Sequence, residues 1–311
     1  MRPHPPCLAD LDLRNFIQFY RYRFNERMGG KAMGGKILVL GSGGRVGSKL
    51  VRALVERGER VKAASRGATP AEGAETIAFD YRDCSTYGHA LEGVDRVFVM
   101  APDGYMDPVA LLTPMIHAAA ARGVKHVLMS VIGADADEDH PYRRVELFLE
   151  KTGAQFTILR PNTFADNFHG HWLEGIRHGV IAVPAADSKT GFIDVRDVAE
   201  CAAAALTTDA FSGLAFDLTG PKALSYHEAA AILSQAIGRP IVYKPVDEET
   251  FVDMLATAGV PEIYARYVAG VFRPVREGRM DRVTADVERL TGKKPRSLET
   301  YAKDNAAALS A

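Results

Sequence analysis

Apolar residues fill positions 37–40 without a break, Ile-Leu-Val-Leu, and a glycine-rich stretch follows at once. A continuous apolar run of that length fits a strand covered on both faces of a parallel sheet. The period then changes. Val46, Leu50, Val51, Leu54 and Val55 recur at helical spacing before the pattern stops at Gly58, which predicts an amphipathic helix. The alternation continues. Strand-like runs at 61–66, 76–79, 96–100, 126–131 and 156–159 are separated by helical stretches, one reaching Leu91 and others covering 108–122 and 139–152. Repeated strand–helix units predict an α/β protein: a Rossmann-type doubly wound parallel sheet with helices on both faces. Right-handed crossovers place every strand's C-terminal end on one edge, where ligands bind. The candidate functional residues are therefore those that follow each strand, at 41–47, 65–66, 80–81, 101–105, 130–134 and 160–168.

Beyond Phe168 the spacing is less regular. Helical patterns at 172–178 and 195–206, a short strand at 215–218, a helix at 225–237 opened by Ser225 and closed by Gly238, and a strand at 241–244 precede a mostly helical end. No Gly/Ser- or Pro-rich spacer separates these segments from the preceding ones. The pattern predicts a core over 34–168 and a smaller interleaved α/β C-terminal substrate region over 169–311, with some segments returning to the sheet. Residues 1–33 read as an extension, disordered or preceding the natural start, because Met28-Gly29-Gly30-Lys31 is echoed by Met33-Gly34-Gly35-Lys36. Within it Leu13, Phe16, Ile17, Tyr20 and Phe24 fall at helical spacing with Arg14, Arg21 and Arg23 between them. A membrane-surface or partner helix is the alternative reading of that segment.

The glycines carry the first chemistry. Gly41, Gly44 and Gly47 recur every third residue, with Gly43 in addition, between a strand and a helix. A turn without Cβ atoms lets the backbone approach a pyrophosphate, and the N–H groups of the first helical turn point at that anion. Ser42, Arg45 and Val46 complete the loop. A tight strand-to-helix turn without a ligand is the plainer alternative. The second strand ends in Ser65-Arg66, where an NAD site usually carries Asp or Glu for the ribose hydroxyls. A hydroxyl and a guanidinium suit a 2′-phosphate instead, so NADP(H) is the expected cofactor. Arg45 is expected to face the same phosphate.

Composition narrows the class. The 311 residues are 47% hydrophobic with a net charge of −1, which offers no general attraction to nucleic acid. No apolar run approaches the roughly 18 residues of a membrane span. Three widely spaced cysteines, Cys7, Cys84 and Cys201, argue for a reducing, cytoplasmic setting and against a disulfide framework or a zinc site. The expected partner is a small-molecule substrate, with no nucleic acid and no membrane, in a monomer or homodimer.

Several segments resemble one family. Gly41-Ser42-Gly43-Gly44-Arg45-Val46-Gly47 is similar to the Gly-Ala-Thr-Gly-x-x-Gly fingerprint of the NmrA-like atypical short-chain dehydrogenases/reductases. Ala64-Ser65-Arg66 is also of that type. Leu159-Arg160-Pro161-Asn162-Thr163-Phe164-Ala165-Asp166-Asn167-Phe168 resembles its Leu-Arg-Pro-x-x-Phe-x-x-Asn segment, and Ile193 to Ala199 its Ile-x-x-x-Asp-Val-Ala stretch. Gly43 stands where the fingerprint has Thr. The resemblance runs from about Gly35 to the C-terminus and implies a Rossmann domain for NADP(H) beside a small C-terminal domain. It implies Gly41–Gly47 at the pyrophosphate, Ser65 and Arg66 at the 2′-phosphate, and Asp80 and Tyr81 at the adenine. Ala101 and Pro102 would lie along the cofactor's middle, and Ser130, Val131 and Asn162 near the nicotinamide. Asp103, Tyr105, Phe164, Asn167 and Phe168 would line the substrate space.

The catalytic residues are not legible. Short-chain dehydrogenases pair a Tyr with a Lys four residues on, whose ammonium lowers the phenol pKa. Here Tyr142 is followed at that distance by Glu146, whose charge would raise it. Tyr142 therefore reads as structural or at the rim of the cleft, and Glu146 as a helix-surface partner of Arg143. His169, His171 and His178 are too sparse for a metal site, and no nucleophile elbow surrounds Ser130. Two functions fit: an NADPH-dependent reductase of a planar organic acceptor such as a quinone, dye or imine-like compound, or a non-catalytic NADP(H) redox sensor acting through a protein partner.

Overall fold

The computed structural model describes residues 34–310; the helical pattern at 13–24 and the rest of the extension lie outside them. Eleven strands are present among the described residues: β1 Lys36–Leu40, β2 Val61–Ser65, β3 Glu75–Ala78, β4 Val94–Val99, β5 Lys125–Met129, β6 Phe156–Pro161, β7 Val180–Ile181, β8 Lys189–Thr190, β9 Leu214–Leu218, β10 Leu224–Ser225 and β11 Val242–Tyr243. Seven form one sheet in the order β3-β2-β1-β4-β5-β6-β9, with every pair parallel. The order reverses between β1 and β4. That reversal opens a crevice at the C-terminal ends of these two strands.

The apolar run at 37–40 is buried on both faces because successive side chains point opposite ways. Ile37 and Val39 join a core with Leu50, Leu54 and Val198, under helices α1 (Arg45–Glu56) and α2 (Val195–Thr207). Leu38 and Leu40 join the opposite core with Leu112, Met115 and Leu149, under α3 (Pro108–Ala120) and α4 (Pro141–Lys151). The helical stretch expected to reach Leu91 is shorter than its pattern, a 3-10 turn at Cys84–Thr86 and one α-turn at Tyr87–Ala90. The short strand expected at 215–218 is β9, the seventh strand of the main sheet, paired with β6 from Thr157↔Leu214 to Pro161↔Leu218.

A third core lies beside the sheet edge, built from Phe168, Phe192, Tyr226, Leu233, Phe251 and Phe272. Its central helix α5 (Tyr226–Ile237) starts as its sequence requires. Ser225 and Glu228 form a reciprocal capping box, and Gly238 closes the helix at φ +71°. Among the described residues no helix is long and apolar enough to cross a membrane.

Candidate functional site

β1 ends at Leu40, and the chain turns at Gly41, whose φ of +74° favours glycine. The Gly44 N–H donates to the Gly41 carbonyl at 2.9 Å and α1 begins at the next residue. A Cβ on Gly47 would stand 2.1 Å from the Gly41 oxygen, so the helix packs onto the turn only because that position is bare. The N-cap of α1 is Gly44 without a side-chain cap, and its first turn holds no acidic residue. The first N–H groups of a helix have no intrahelical partner. The Ser42 hydroxyl is buried and has no hydrogen-bond partner among the described residues. A Cβ-free cradle, an uncapped helix end and an orphaned donor together fit a pyrophosphate.

This loop forms one wall of a cavity of about 400 Å³ that opens where the strand order reverses. Gly41, Gly43, Gly44, Arg45 and Val46 line it from the loop. Ser65 and Arg66 line it from the end of β2, Asp80 and Tyr81 from beyond β3, Pro102, Asp103 and Tyr105 from beyond β4, and Phe164 from beyond β6. The structure thus brings thirteen of the expected site residues to one space. Ser42 and Gly47 belong to the same loop behind its surface. Ala101 packs against the core under β4.

The remaining candidates stand elsewhere. Ser130 is buried, and its hydroxyl donates to Glu146 Oε1 at 2.6 Å. Val131, next to it, is half-buried. Asn162 spends its amide on the Met280 carbonyl at 2.9 Å and accepts from the Thr163 N–H at 2.7 Å, which ties the end of β6 to the C-terminal segment. Asn167 accepts from Arg45 Nη1 at 3.5 Å. Phe168 is buried in the third core, with ring centroids 5.0 Å from Trp172 and 5.2 Å from Phe192, and does not reach the cavity.

Charge is distributed unevenly around the cavity. Arg45 does not point at the β2 end. Its guanidinium reaches the Asp166 carbonyl at 3.2 Å, Asp103 Oδ2 at 3.3 Å and His171 Nε2 at 2.8 Å, joining the loops that follow β1, β4 and β6. Burial, followed by the Arg45 charge, keeps the His171 pKa below its usual value, so this imidazole accepts from Arg45. At the β2 end Arg66 is exposed. The Asp80 carboxyl is held below the usual range by the Arg82 backbone N–H, the Arg82 guanidinium and, more weakly, Arg66. Tyr81 closes the floor, its hydroxyl donating to the Met100 carbonyl at 2.8 Å.

Glu146 is not a surface residue of α4. It is fully buried and accepts from Arg160 Nε at 2.9 Å, Arg160 Nη2 at 2.7 Å, Arg143 Nη1 at 2.9 Å and Ser130. The helical spacing to Arg143 was legible; the strand residue Arg160, which neutralises the carboxylate from inside the sheet, was not. Tyr142 is half-buried beside the His140 ring, 6.2 Å between centroids, and is not among the residues that line the cavity. Burial first, then Tyr267 and Asp103, push its phenol well above the usual value.

The NmrA-like family model matches residues 33–302, most of the chain. The chain belongs to the NmrA-like family. It is 33% identical over 273 residues to the uncharacterized oxidoreductase YesF of Bacillus subtilis, covering 87% of this chain and 95% of that protein. It is 34% identical over 287 residues to an NAD(P)H azoreductase of Xenophilus azovorans, covering 88% and 99%. Its fold is similar to that of the Citrobacter triphenylmethane reductase solved with NADP(H), at TM-score 0.76 and 22% identity over 87% of this chain and 99% of that one.

Five further residues line the cavity of this NmrA-like protein without having been singled out: Ala64, Gly67, Thr69, Phe79 and Met100. Ala64, Phe79 and Met100 look like strand core. Their signal was positional, since each sits at or just beyond the C-terminal end of a strand, β2, β3 or β4, on the sheet edge that bears the cavity. Thr69 had none, because it returns to the wall only through the fold of its loop.

Proposed function

We propose that this protein is an NADPH-dependent reductase of a planar organic acceptor such as a quinone, azo dye or imine-like compound. One observation carries the reading: a single cavity runs from the uncapped glycine loop to the Ser65-Arg66 strand end, with Tyr105 and Phe164 beside it. The loop residues Gly41–Gly47 would hold the pyrophosphate, and Ser65 and Arg66 the 2′-phosphate. Asp80 and Tyr81 would flank the adenine, and Ser130, Val131 and Asn162 would lie towards the nicotinamide end. The cofactor supplies a hydride when bound. The protein's part is to position the acceptor on aromatic surface and to exclude water. An acceptor whose reduced form is electronically stabilised takes its proton from solvent, which fits a site in which Tyr142 is a poor acid. The azoreductase relative supports this substrate class.

A non-catalytic NADP(H) sensor is favoured by one observation, the carboxylate of Glu146 where the dehydrogenase dyad has an ammonium. Both readings are tested by following NADPH oxidation with a quinone and an azo dye, alongside titration of NADPH and NADH into wild type and Arg66→Ala. Turnover, with NADPH bound more tightly than NADH and that advantage lost in Arg66→Ala, is expected. Tight NADPH binding without turnover of any acceptor selects the sensor. Equal affinities in wild type overturn the cofactor assignment.

A further inference from the structure

The loop after β2 carries a second hydroxyl. Ser65 Oγ accepts the Thr69 N–H at 2.9 Å and donates towards Thr69 Oγ1 at 3.4 Å. Between them Ala68 takes φ +45°, a left-handed conformation that is unfavourable for a non-glycine residue. The strained turn folds the loop back, so that Thr69 rejoins the cavity wall beside Ser65 and Arg66. The Thr69 hydroxyl receives the Ser65 proton, and its own proton has no acceptor among the described residues.

The position of that hydroxyl matters. A Cβ built on Gly43 would lie 3.4 Å from Thr69 Oγ1 and 3.8 Å from Thr69 Cβ. Thr69 therefore fills the space beside the one loop position where the family fingerprint carries Thr and this chain carries glycine. The geometry points to Thr69 as a specificity-determining residue for a phosphorylated ribose. It supplies from the β2 loop the hydroxyl that the glycine loop lacks, and its proton joins the Arg66 guanidinium at one dianion, while Ser65 donates to Thr69 from behind. This rests on the NADP(H) reading above and adds to it a residue and a reason for the glycine at 43. A hydroxyl donated to a phosphate is a charge-assisted bond, stronger than a neutral one.

The test is calorimetric titration of the full chain with NADPH, NADH, 2′,5′-ADP and 5′-AMP, for wild type, Thr69→Val, Thr69→Ser and the double variant Thr69→Val/Gly43→Thr. Thr69→Val keeps the side-chain shape and the backbone bond to Ser65. It should weaken NADPH and 2′,5′-ADP by about tenfold or more and leave NADH and 5′-AMP unchanged. Thr69→Ser should keep the preference, and Gly43→Thr should restore it in the valine background. Taking the NADPH-to-NADH ratio within each variant cancels any loss of folded protein. A wild type that prefers NADPH with the same ratio in Thr69→Val overturns the role of Thr69 alone. A wild type with no preference overturns the cofactor reading, and this inference with it.

Discussion

Arg160 meets Glu146 end to end, Nε on Oε1 at 2.9 Å and Nη2 on Oε2 at 2.7 Å, with the carboxylate fully buried. One residue comes from the C-terminal end of a buried strand and the other from the helix that covers it. Burial alone would push the Glu146 carboxyl up. The hydrogen bonds from Arg160, Ser130 and Arg143 outweigh it and hold the group below its usual range. Losing a two-point partner in such a place is costly even with Arg143 and Ser130 still bonded, so Arg160→Met should lose about 2–3 kcal/mol in urea unfolding. Because the carboxyl's folded pKa is depressed, its stabilisation is complete above about pH 4.3 and is lost as pH falls through the folded value. A loss of less than about 1 kcal/mol in Arg160→Met, the range of an exposed pair, would mean that the pair is solvated.

His126 gives a second pH dependence, at a higher range. It lies buried in β5, with Nε2 3.3 Å from the Ile116 carbonyl and Nδ1 without a hydrogen-bond partner among the described residues. Burial lowers its pKa to about 4, against about 6.5 in an unfolded chain. The unfolded state takes up the proton first, so stability should fall as pH drops from about 6.5 to 4, by on the order of 3 kcal/mol. His126→Gln should flatten that slope in unfolding measured across the same range. An equally steep slope in the variant would place its cause elsewhere.

Gly47 should be intolerant of the smallest change. A methyl there meets the Gly41 carbonyl at 2.1 Å and the Ser42 Cα at 2.9 Å, both backbone, so α1 must move away from the turn. Overpacking of this kind costs about 1–3 kcal/mol, and the moved helix end should bind NADPH at least tenfold more weakly. Thermal melting and NADPH titration of Gly47→Ala measure the two effects. Wild-type affinity in that variant would show that the turn does not hold the cofactor.

Tyr142→Phe should keep most of its turnover with a quinone acceptor, because a phenol held above its usual pKa by burial is a weak acid at neutral pH. Phe164→Ala should lose considerably more, through poor placement of the acceptor. Steady-state kinetics of both variants at saturating NADPH decide the matter. A Tyr142→Phe loss of roughly a hundredfold, the low end of what general acid catalysis supplies, would make Tyr142 the proton donor.

What was legible in the sequence was what local spacing encodes. Gly41, Gly44 and Gly47 are legible as a strand-to-helix turn because a strand and a helix flank them within a few residues. Ser65 and Arg66 are legible as a strand end on the cavity wall because the strand-like run before them stops visibly. Glu146 was misread because its decisive partner, Arg160, lies on another element, and the helix pattern showed only Arg143. A clue was present, since an arginine inside a fully buried strand demands a carboxylate. Phe168 was misplaced for a related reason. An aromatic residue after a strand can face the cleft or the neighbouring core, and only the packing against Trp172 and Phe192 decides. Thr69 depended on the positive φ of Ala68, which no pattern of residue types announces.

Arg45 has a consequence for how this protein can change. One guanidinium fastens the glycine loop to Asp103 and to the stretch carrying Asp166, Asn167 and His171. The two ends of the cavity are therefore not separate modules for selection to tune independently. Substitutions at 103 or 171 that reshape that side of the site also loosen an anchor of the glycine loop, and their effects should depend on what stands at 45. A library evolved towards new acceptors should drift in nucleotide affinity as well, and combinations of mutations at these positions should be non-additive. The first compensating changes should cluster around this arginine.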